Sequence, residues 1–222
     1  EAIPDNAFYQ SKITSINIPP SVSSIGASAF KECTLLTGNL ILPNSLQKIG
    51  DDAFYRCEKL TGNLIIPNSV VNMGEYAFYS CSGFDGLLTL SSELTRIPAG
   101  CFFATGFSGN LIIPDNVKFI GDNAFTSCRN FKGYLLLGNG IAGNGTNSGS
   151  QSIGDSAFSA GNNDPIFRKV YAKSSLPALI NSEAFGANSW YSINLYVPIG
   201  AKEIYQNISY WKKCGSIEEV EF

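Results

Sequence analysis

Residues 60–81 read LTGNLIIPNSVVNMGEYAFYSC, and this stretch holds every landmark of a repeat that runs through the chain. Its most regular landmark is the pair Ala-Phe, which recurs at 7–8, 29–30, 53–54, 77–78, 124–125, 157–158 and 184–185, with Phe102 in the missing place. Successive repeat Phe residues are 22, 24, 24, 24, 23, 33 and 27 positions apart. Self-similarity at such a period indicates a repeat architecture.

Within one unit the landmarks follow a fixed order. An apolar-x-apolar-Pro step such as Leu64-Ile65-Ile66-Pro67 predicts a short strand that ends at the proline. An Asn/Ser turn and an Ile-Gly step follow, and then a short helical turn carries Ala and Phe inward. We expect that turn to begin at an acidic residue that caps its own exposed N–H groups, as at Asp51, Glu75, Asp122 or Asp155.

A unit of this length cannot bury its apolar face alone, so neighbouring units must stack into one core. We therefore predict an α/β repeat solenoid, in which eight right-handed coils present one parallel β-sheet face and short helical turns. The solenoid would occupy 1–194. The segment 195–222 is predicted to close it with a helix of about 15 residues, on one face of which lie Ile204, Ile208 and Trp211.

These landmarks resemble the BspA-like subgroup of bacterial leucine-rich repeats, whose units run Cys-x-x-Leu, Ile-x-Ile-Pro, Val-x-x-Ile-Gly, x-x-Ala-Phe. The resemblance covers essentially the whole chain. It implies a leucine-rich-repeat fold and a surface-exposed adhesion or protein-binding module of gut and oral anaerobes. It also implies that 195–222 is the closing segment common in the family.

The pattern is interrupted at 138–152, where nearly every residue is Gly, Asn or Ser. We predict a mobile loop insertion here. Gly138, Gly140 and Gly143 formally match a dinucleotide fingerprint, but no amphipathic helix follows to hold a pyrophosphate. Val170-Tyr171-Ala172 must serve as the strand of the next unit, which lacks an Ile-Pro step.

Composition argues against several functions. The net charge is −3 and the 15 Lys and Arg residues are scattered, so nucleic acid is not an expected partner. No stretch has the roughly 20 apolar residues that cross a bilayer. Residues 1–8 lack a signal peptide and begin in mid-pattern, which we interpret as a trimmed or mature fragment. With no histidine in the chain, imidazole chemistry is excluded, and we expect neither an enzyme nor a cofactor.

Four cysteines lie three residues after a repeat Phe, at positions 33, 57, 81 and 128. Metal ligands converge on one point, whereas these residues are spread one per coil along a line, so no metal site is expected. Stacked coils also leave their Cβ vectors nearly parallel, which disfavours disulfides. We predict buried free thiols.

A binding face is predicted on the sheet. The middle residue of each strand points outward, which gives an apolar row of Asn17, Ile41, Ile65, Thr89, Ile112, Leu136, Tyr171 and Tyr196. Two positions earlier on the same face lie Ser15, Asn39, Asn63, Leu87, Asn110, Tyr134, Lys169 and Asn194. These rows either stabilise the sheet by cross-strand packing or contact a ligand.

The interpretation we favour is a secreted or cell-surface module that binds a host or bacterial extracellular protein through this face. Two alternatives remain. Tyr134, Tyr171 and Tyr196, with Trp190 and Tyr191 nearby, could stack on sugar rings in a carbohydrate-binding module. A passive spacer within a larger surface protein would bind nothing.

Overall fold

The structure is a computed structural model that describes residues 1–143, 151–161, 165–187 and 190–222. Its strands, in chain order, are β1 (Ala2–Ile3), β2 (Ser24–Ile25), β3 (Thr37–Asn39), β4 (Lys48–Ile49), β5 (Lys59–Thr61), β6 (Leu64–Ile65), β7 (Asn72–Met73), β8 (Leu88–Thr89), β9 (Arg96–Ile97), β10 (Gly109–Ile113), β11 (Phe119–Ile120), β12 (Phe131–Leu137), β13 (Lys169–Ala172), β14 (Asn194–Pro198) and β15 (Ser216–Val220). One α-helix, α1 (Lys202–Asn207), and two 3-10 segments at Trp190–Ser192 and Trp211–Lys213 complete the described elements. All pairings between these strands are parallel, which confirms the predicted solenoid.

The main sheet is built from the apolar-x-apolar steps. Strands β10, β12, β13, β14 and β15 form its longest continuous part. In earlier coils β6 pairs with β8 at these steps, while β3 and β5 pair just before them. Leu136 is in register with Ile112 on one side and with Tyr171 on the other. Val170-Tyr171-Ala172 therefore does serve as the strand of its coil, as predicted.

A second parallel row was not predicted. The Ile-Gly steps pair from coil to coil as β1-β2-β4-β7 and β9–β11, and a bridge between Ile120 and Ile153 continues the row. The glycine after each isoleucine permits this approach: a Cβ on Gly50 would lie 2.5 Å from the backbone nitrogen of Ala27 in the preceding coil. Each of these strands is only two residues long, which is too short to show an alternating pattern in the sequence.

The segments around the repeat Phe are linked turns, not helical turns. In the coil of Phe54, both Asp52 (φ 54°) and Arg56 (φ 57°) adopt the left-handed conformation, which an α-helix excludes. The Phe54 N–H donates to the carbonyl of Ala77 in the next coil, at 2.8 Å, while the Tyr55 N–H closes a turn onto Asp52. Alternate residues thus bond between coils and within a coil.

The acidic residues cap N–H groups in a different coil from the one predicted. Oδ1 of Asp51 accepts from the Glu75 N–H at 3.0 Å, and Oδ1 of Asp122 accepts from the Asp155 N–H at 2.8 Å. The prediction of caps within their own turns was therefore wrong. The geometry of linked turns directs these carboxylates along the stack, where they join consecutive coils.

The eight repeat phenylalanines form one continuous stack, in which every ring but that of Phe8 is buried in the core. Successive ring centroids lie between 5.0 and 5.6 Å apart, from Phe8 through to Phe185. The rings are close to parallel, with the last pair inclined by 25°. Because each coil places its Phe at the same point, the side chains form one column along the solenoid axis.

The end of the chain closes the solenoid differently from the predicted long helix. Helix α1 ends at Asn207, Ile208 is extended, and Tyr210 has a left-handed backbone (φ 71°). Tyr205, Ile208 and Trp211 are buried, while Ile204 is only partly so. The chain turns after α1 and brings Trp211 to Ala178, whose carbonyl accepts its indole N–H at 2.8 Å. Strand β15 then adds to β14 as the last strand.

The Gly/Asn-rich stretch 138–152 is described only at its ends, since 144–150 lie outside the described residues. Ile141 is buried, and its N–H closes a turn onto the carbonyl of Gly138. Ser152 is buried too, with its N–H bonded to the Leu179 carbonyl. Both ends of the predicted insertion therefore belong to the coil. The mobility expected of the middle stays a prediction, as does the division at residue 194, which β14 spans.

Candidate functional site

The outward row of the main sheet is the first candidate site. Ile41, Ile65 and Ile112 are 78%, 60% and 51% exposed, while the residues on either side of each are buried. Leu136, Tyr171 and Tyr196 occupy the same position in later coils and are partly buried, and the rings of the two tyrosines cover one another. Asn17 and Thr89 complete the row and are exposed. The predicted alternation of inward and outward residues is thus present along the whole row.

The neighbouring asparagine row is partly engaged in the fold. Oδ1 of Asn63 accepts from the Leu87 N–H at 2.7 Å, and Oδ1 of Asn110 accepts from the Tyr134 N–H at 3.0 Å. Each bond joins one coil to the next, just before strand β8 in the first case and within strand β12 in the second. These two amides therefore stabilise the stack. Asn39 is exposed in the same row.

Aromatic residues gather at the C-terminal end of this face. Tyr171 stacks on Tyr196 with ring centroids 4.5 Å apart, and Tyr134 meets Tyr171 edge to face at 5.2 Å. Phe222 packs edge-on against Tyr171 at 6.5 Å. Burial, followed by the nearby Glu218 carboxylate, raises the pKa of Tyr196. The three predicted tyrosines therefore form one cluster. Phe222 was missed because nothing in its sequence position indicates a return to the sheet.

Trp190 and Tyr191 do not join this cluster. The Trp190 indole is buried against Phe185 and Trp211 and donates to the Ser182 carbonyl at 3.0 Å. Tyr191 is strongly exposed but belongs to a 3-10 segment before β14. Trp190 therefore belongs to the core at the C-terminal end of the solenoid, and Tyr191 belongs to the surface there.

A second aromatic series, on the turn side of the solenoid, was not predicted from the sequence. Tyr55, Tyr79 and Phe103 each follow a repeat Phe, and their rings stack with centroids 4.8 and 4.6 Å apart. The Lys31 ammonium lies 4.6 Å from the centre of the Tyr55 ring. An aromatic at the position after Ala-Phe is the signal that could have revealed it. Since the rings cover one another's faces, this series chiefly stabilises the turns.

The cysteine ladder is part of the core. Each ladder thiol donates to the carbonyl of the repeat Phe one coil earlier, at distances between 2.9 and 3.1 Å. Burial raises the pKa of Cys57 to about 12 and that of Cys128 to about 11. Cys101 is buried as well and Cys214 is partly buried, and all six cysteines are free thiols. A buried thiol with a raised pKa is a poor nucleophile and a poor metal ligand.

Among the described residues, no group of three or more His, Cys, Asp or Glu side chains is placed to hold a metal ion. Within the same residues, no helix is both long and apolar enough to span a membrane.

The chain is similar to bacterial leucine-rich repeat proteins in sequence and in fold. The model of the BspA type leucine rich repeat region matches residues 1–132 in six copies. No curated protein sequence matches the chain significantly. Among solved structures, a leucine-rich repeat protein from Bacteroides ovatus is similar, with a TM-score of 0.54 and 19% identity over 99% of this chain and 64% of that chain. A leucine rich cell surface protein from Faecalibacterium prausnitzii gives a TM-score of 0.47 and 19% identity, covering 100% of this chain and 83% of that chain.

Proposed function

We propose, because this chain belongs to the BspA-type leucine-rich repeat family, that it is a binding module whose main-sheet face contacts an extracellular protein. The observation that supports the proposal is the exposure of Ile41, Ile65 and Ile112 at the outward position of three coils, each between two buried neighbours. Leu87, in the adjoining row, is 53% exposed and enlarges this apolar surface.

The physical argument is that a contiguous apolar surface is unfavourable in water unless a partner covers it. Burial of apolar surface contributes about 25 cal/mol per Å², and large exposed patches on soluble proteins usually mark contact sites. Cross-strand packing alone would be satisfied by threonine or polar residues on an open face. Isoleucine at three such positions therefore favours contact over simple stabilisation of the sheet.

We assign the module no catalytic role and place it on the bacterial cell surface or outside the cell. The acidic residues at the turns, such as Asp51 and Asp122, already accept hydrogen bonds that join the coils. The absence of histidine removes the most common general base. Repeat solenoids of this kind bind partners over extended surfaces.

A second candidate, a carbohydrate-binding module, is favoured by the cluster of Tyr134, Tyr171 and Tyr196. Aromatic rings combine apolar area with a polar tip, which suits sugar rings. The tyrosines lie at one end of the face, whereas the isoleucines extend over the rest. Protein contact would involve both regions, while a short glycan would involve the tyrosines alone.

The test is a binding screen of the whole chain against purified extracellular matrix proteins and a glycan array. A variant with Ile65→Ser, Ile112→Ser, Leu136→Ser and Tyr171→Ser should fold normally and lose most binding to the protein partner. A matched control, with Leu35→Ser, Val71→Ser, Leu176→Ser and Tyr191→Ser, removes exposed apolar groups elsewhere and should bind normally. Binding to glycans alone would support the second candidate. Binding to nothing would indicate a spacer, and unchanged binding by the folded face variant would move the site elsewhere.

A further inference from the structure

The middle of the chain carries a local excess of positive charge. Residues 123–182 contain five Lys or Arg residues and two Asp residues, in a chain whose net charge is −3. One of the five, Lys173, is paired with Asp115 at 3.2 Å. Arg129, Lys132, Arg168 and Lys169 remain.

Three of these cations surround one cleft. Arg129, Lys132 and Arg168 line a cleft of about 380 Å³, between the starts of β12 and β13, whose floor includes Phe131 and Pro165. Both floor residues are buried. Among the residues that the structure describes here, the lining includes no carboxylate. Asp164 lies outside the described residues. The cleft therefore combines an apolar floor with a cationic rim.

The fold holds two of the cations in place without neutralising them. Nε of Arg129 donates to the Ala160 carbonyl at 2.9 Å, and Nζ of Lys132 donates to the Arg129 carbonyl at 3.0 Å. Neither acceptor carries a formal charge. In the described part of the chain, the ion pairs are Lys31–Asp52, Arg56–Glu58 and Lys173–Asp115, and none of them involves the rim. Within the described residues, therefore, no carboxylate neutralises the rim.

The cleft lies beside the start of the tyrosine cluster in the chain, since its lining residues Gly133 and Arg168 directly precede Tyr134 and Lys169. Leu135 of β12 pairs with Val170 of β13, so Tyr134 and Lys169 lie one step earlier on neighbouring strands. Lys169 is exposed, and its side chain shares the outward face with Tyr134 and Tyr171.

We propose that this cleft binds an acidic glycan, with a sulfate or carboxylate group held by Arg168, Arg129 and Lys132 and the adjoining sugar on Tyr134 and Tyr171. Guanidinium groups bind such oxyanions through charge-assisted hydrogen bonds. The cleft lies at the lower end of the range of about 300–1,000 Å³ typical of small-ligand sites, which suits a sugar residue better than a folded protein surface. The proposal goes beyond the protein contact above and stands even if the isoleucine row binds nothing.

The experiment is isothermal titration of the whole chain with four probes of similar length. Heparin hexasaccharide and hexagalacturonate carry sulfate and carboxylate groups respectively, cellohexaose is neutral, and hexaglutamate is an acidic peptide. At least one acidic glycan should bind, and its affinity should fall as salt rises because the rim is exposed. Cellohexaose and hexaglutamate should bind at least tenfold more weakly than that glycan.

Paired variants locate the site. Lys132→Gln with Arg168→Gln should weaken acidic-glycan binding at least tenfold, since two charge-assisted contacts are lost. Lys59→Gln with Lys118→Gln removes the same charge from exposed positions outside the cleft and should change the affinity less than twofold. Arg129 is left intact because its hydrogen bond holds the segment at Ala160. Thermal melting should show that both variants fold.

Three results would overturn the proposal: no binding of either acidic glycan, equal losses in the two variants, or hexaglutamate binding as tightly as the acidic glycans. The last result would identify the cleft as a site for acidic protein segments. Because none of these probes carries the apolar surface of a protein partner, failure here is distinct from failure of the isoleucine row.

Discussion

At the scale of single residues, the repeat Phe shows how much each coil depends on its neighbours. Phe54 is fully buried, with rings on both sides at 5.1 and 5.3 Å. Phe54→Ala should lower the free energy of unfolding by roughly 3–5 kcal/mol, since it leaves a cavity in a stacked core. Phe8→Ala should cost about 1–2 kcal/mol, because Phe8 is 40% exposed and stacks on one side only. Urea unfolding measures both, and equal costs would contradict the role of stacking.

The outward and inward residues of one strand provide a sharper residue-scale prediction. Ile65→Ser should change the free energy of unfolding by at most about 0.5–1 kcal/mol, through lost strand propensity. Leu64→Ala and Ile66→Ala should each cost roughly 2–5 kcal/mol, because both side chains are buried. Urea unfolding of the three variants tests this. Similar costs at all three positions would mean that the isoleucine row is part of the core.

The buried thiols predict a loss of stability at alkaline pH. Burial raises the pKa of Cys57 to about 12, above the value of about 8.5 for a free cysteine. The stability due to the protonated thiol is therefore complete below pH 8.5 and is lost as pH rises from there toward 12. Between these limits Cys57→Ala should reduce the slope of unfolding free energy against pH by about 1.4 kcal/mol per pH unit. Urea unfolding at pH 7.5 to 10 measures the slope, and parallel profiles would contradict the assignment.

Residue orientation on the sheet could be predicted from the sequence because strand side chains alternate with a period of two. The role of the asparagines could not. Asn63 and Asn110 use their side-chain oxygens on N–H groups of the next coil, 24 residues later. Such a bond depends on the exact position of two stacked backbones. An asparagine that contacts a ligand and one that bonds to the next coil occur at the same positions with the same spacing. The sequence therefore does not distinguish the two roles.

At the scale of elements, the turns around Ala-Phe show why a short helical turn was expected and does not form. An acidic residue followed by Ala and an aromatic is compatible with one helical turn, and propensity decides nothing over so few residues. Stacking decides instead, because alternate N–H groups find acceptors in the next coil, as Phe54 does on Ala77. The left-handed backbone at Asp52 and Arg56 turns the chain so that successive N–H groups can bond alternately within the coil and to the next coil. Contacts with other coils also accompany the early end of α1, after which the Trp211 indole reaches the Ala178 carbonyl.

The glycines of the second row provide the element-scale prediction. Gly50→Ala should destabilise the fold by about 1–3 kcal/mol through overpacking, because the added Cβ would lie 2.5 Å from the Ala27 backbone nitrogen. Gly38→Ala is the control: its φ is 87° but nothing lies within 4 Å of the added Cβ. Its cost should be only the left-handed strain, about 1–2 kcal/mol. The N–H of residue 50, which donates to the Ile25 carbonyl, should exchange faster in the first variant alone. Unchanged exchange there would mean that the second row does not hold the coils together.

At the scale of the whole molecule, the repeat fixes the fold because each landmark serves both its own coil and the next one. Phe54 packs on Phe30 and Phe78, Cys57 donates to Phe30, and Asp51 accepts from Glu75. This redundancy is what the sequence displays as periodicity. Features that occur once, such as the cationic cleft at Arg129 and Arg168 or the return of Phe222 to the sheet, leave no periodic trace. Such features become visible only in the folded structure.

Under the proposed function, the length of the face predicts which partners it can distinguish. Eight outward positions at a strand spacing of about 4.8 Å span roughly 34 Å, and a standard interface covers about 800 Å² of each protein. A protein partner should therefore contact both ends of the row. Ile41→Ser with Ile65→Ser, and separately Leu136→Ser with Tyr171→Ser, should each weaken its binding about tenfold or more, since a lost anchor costs at least about 1–2 kcal/mol. A short glycan should respond to the second pair alone. Surface plasmon resonance with the partner from the binding screen measures both variants. A protein that is insensitive to either pair does not use the full face.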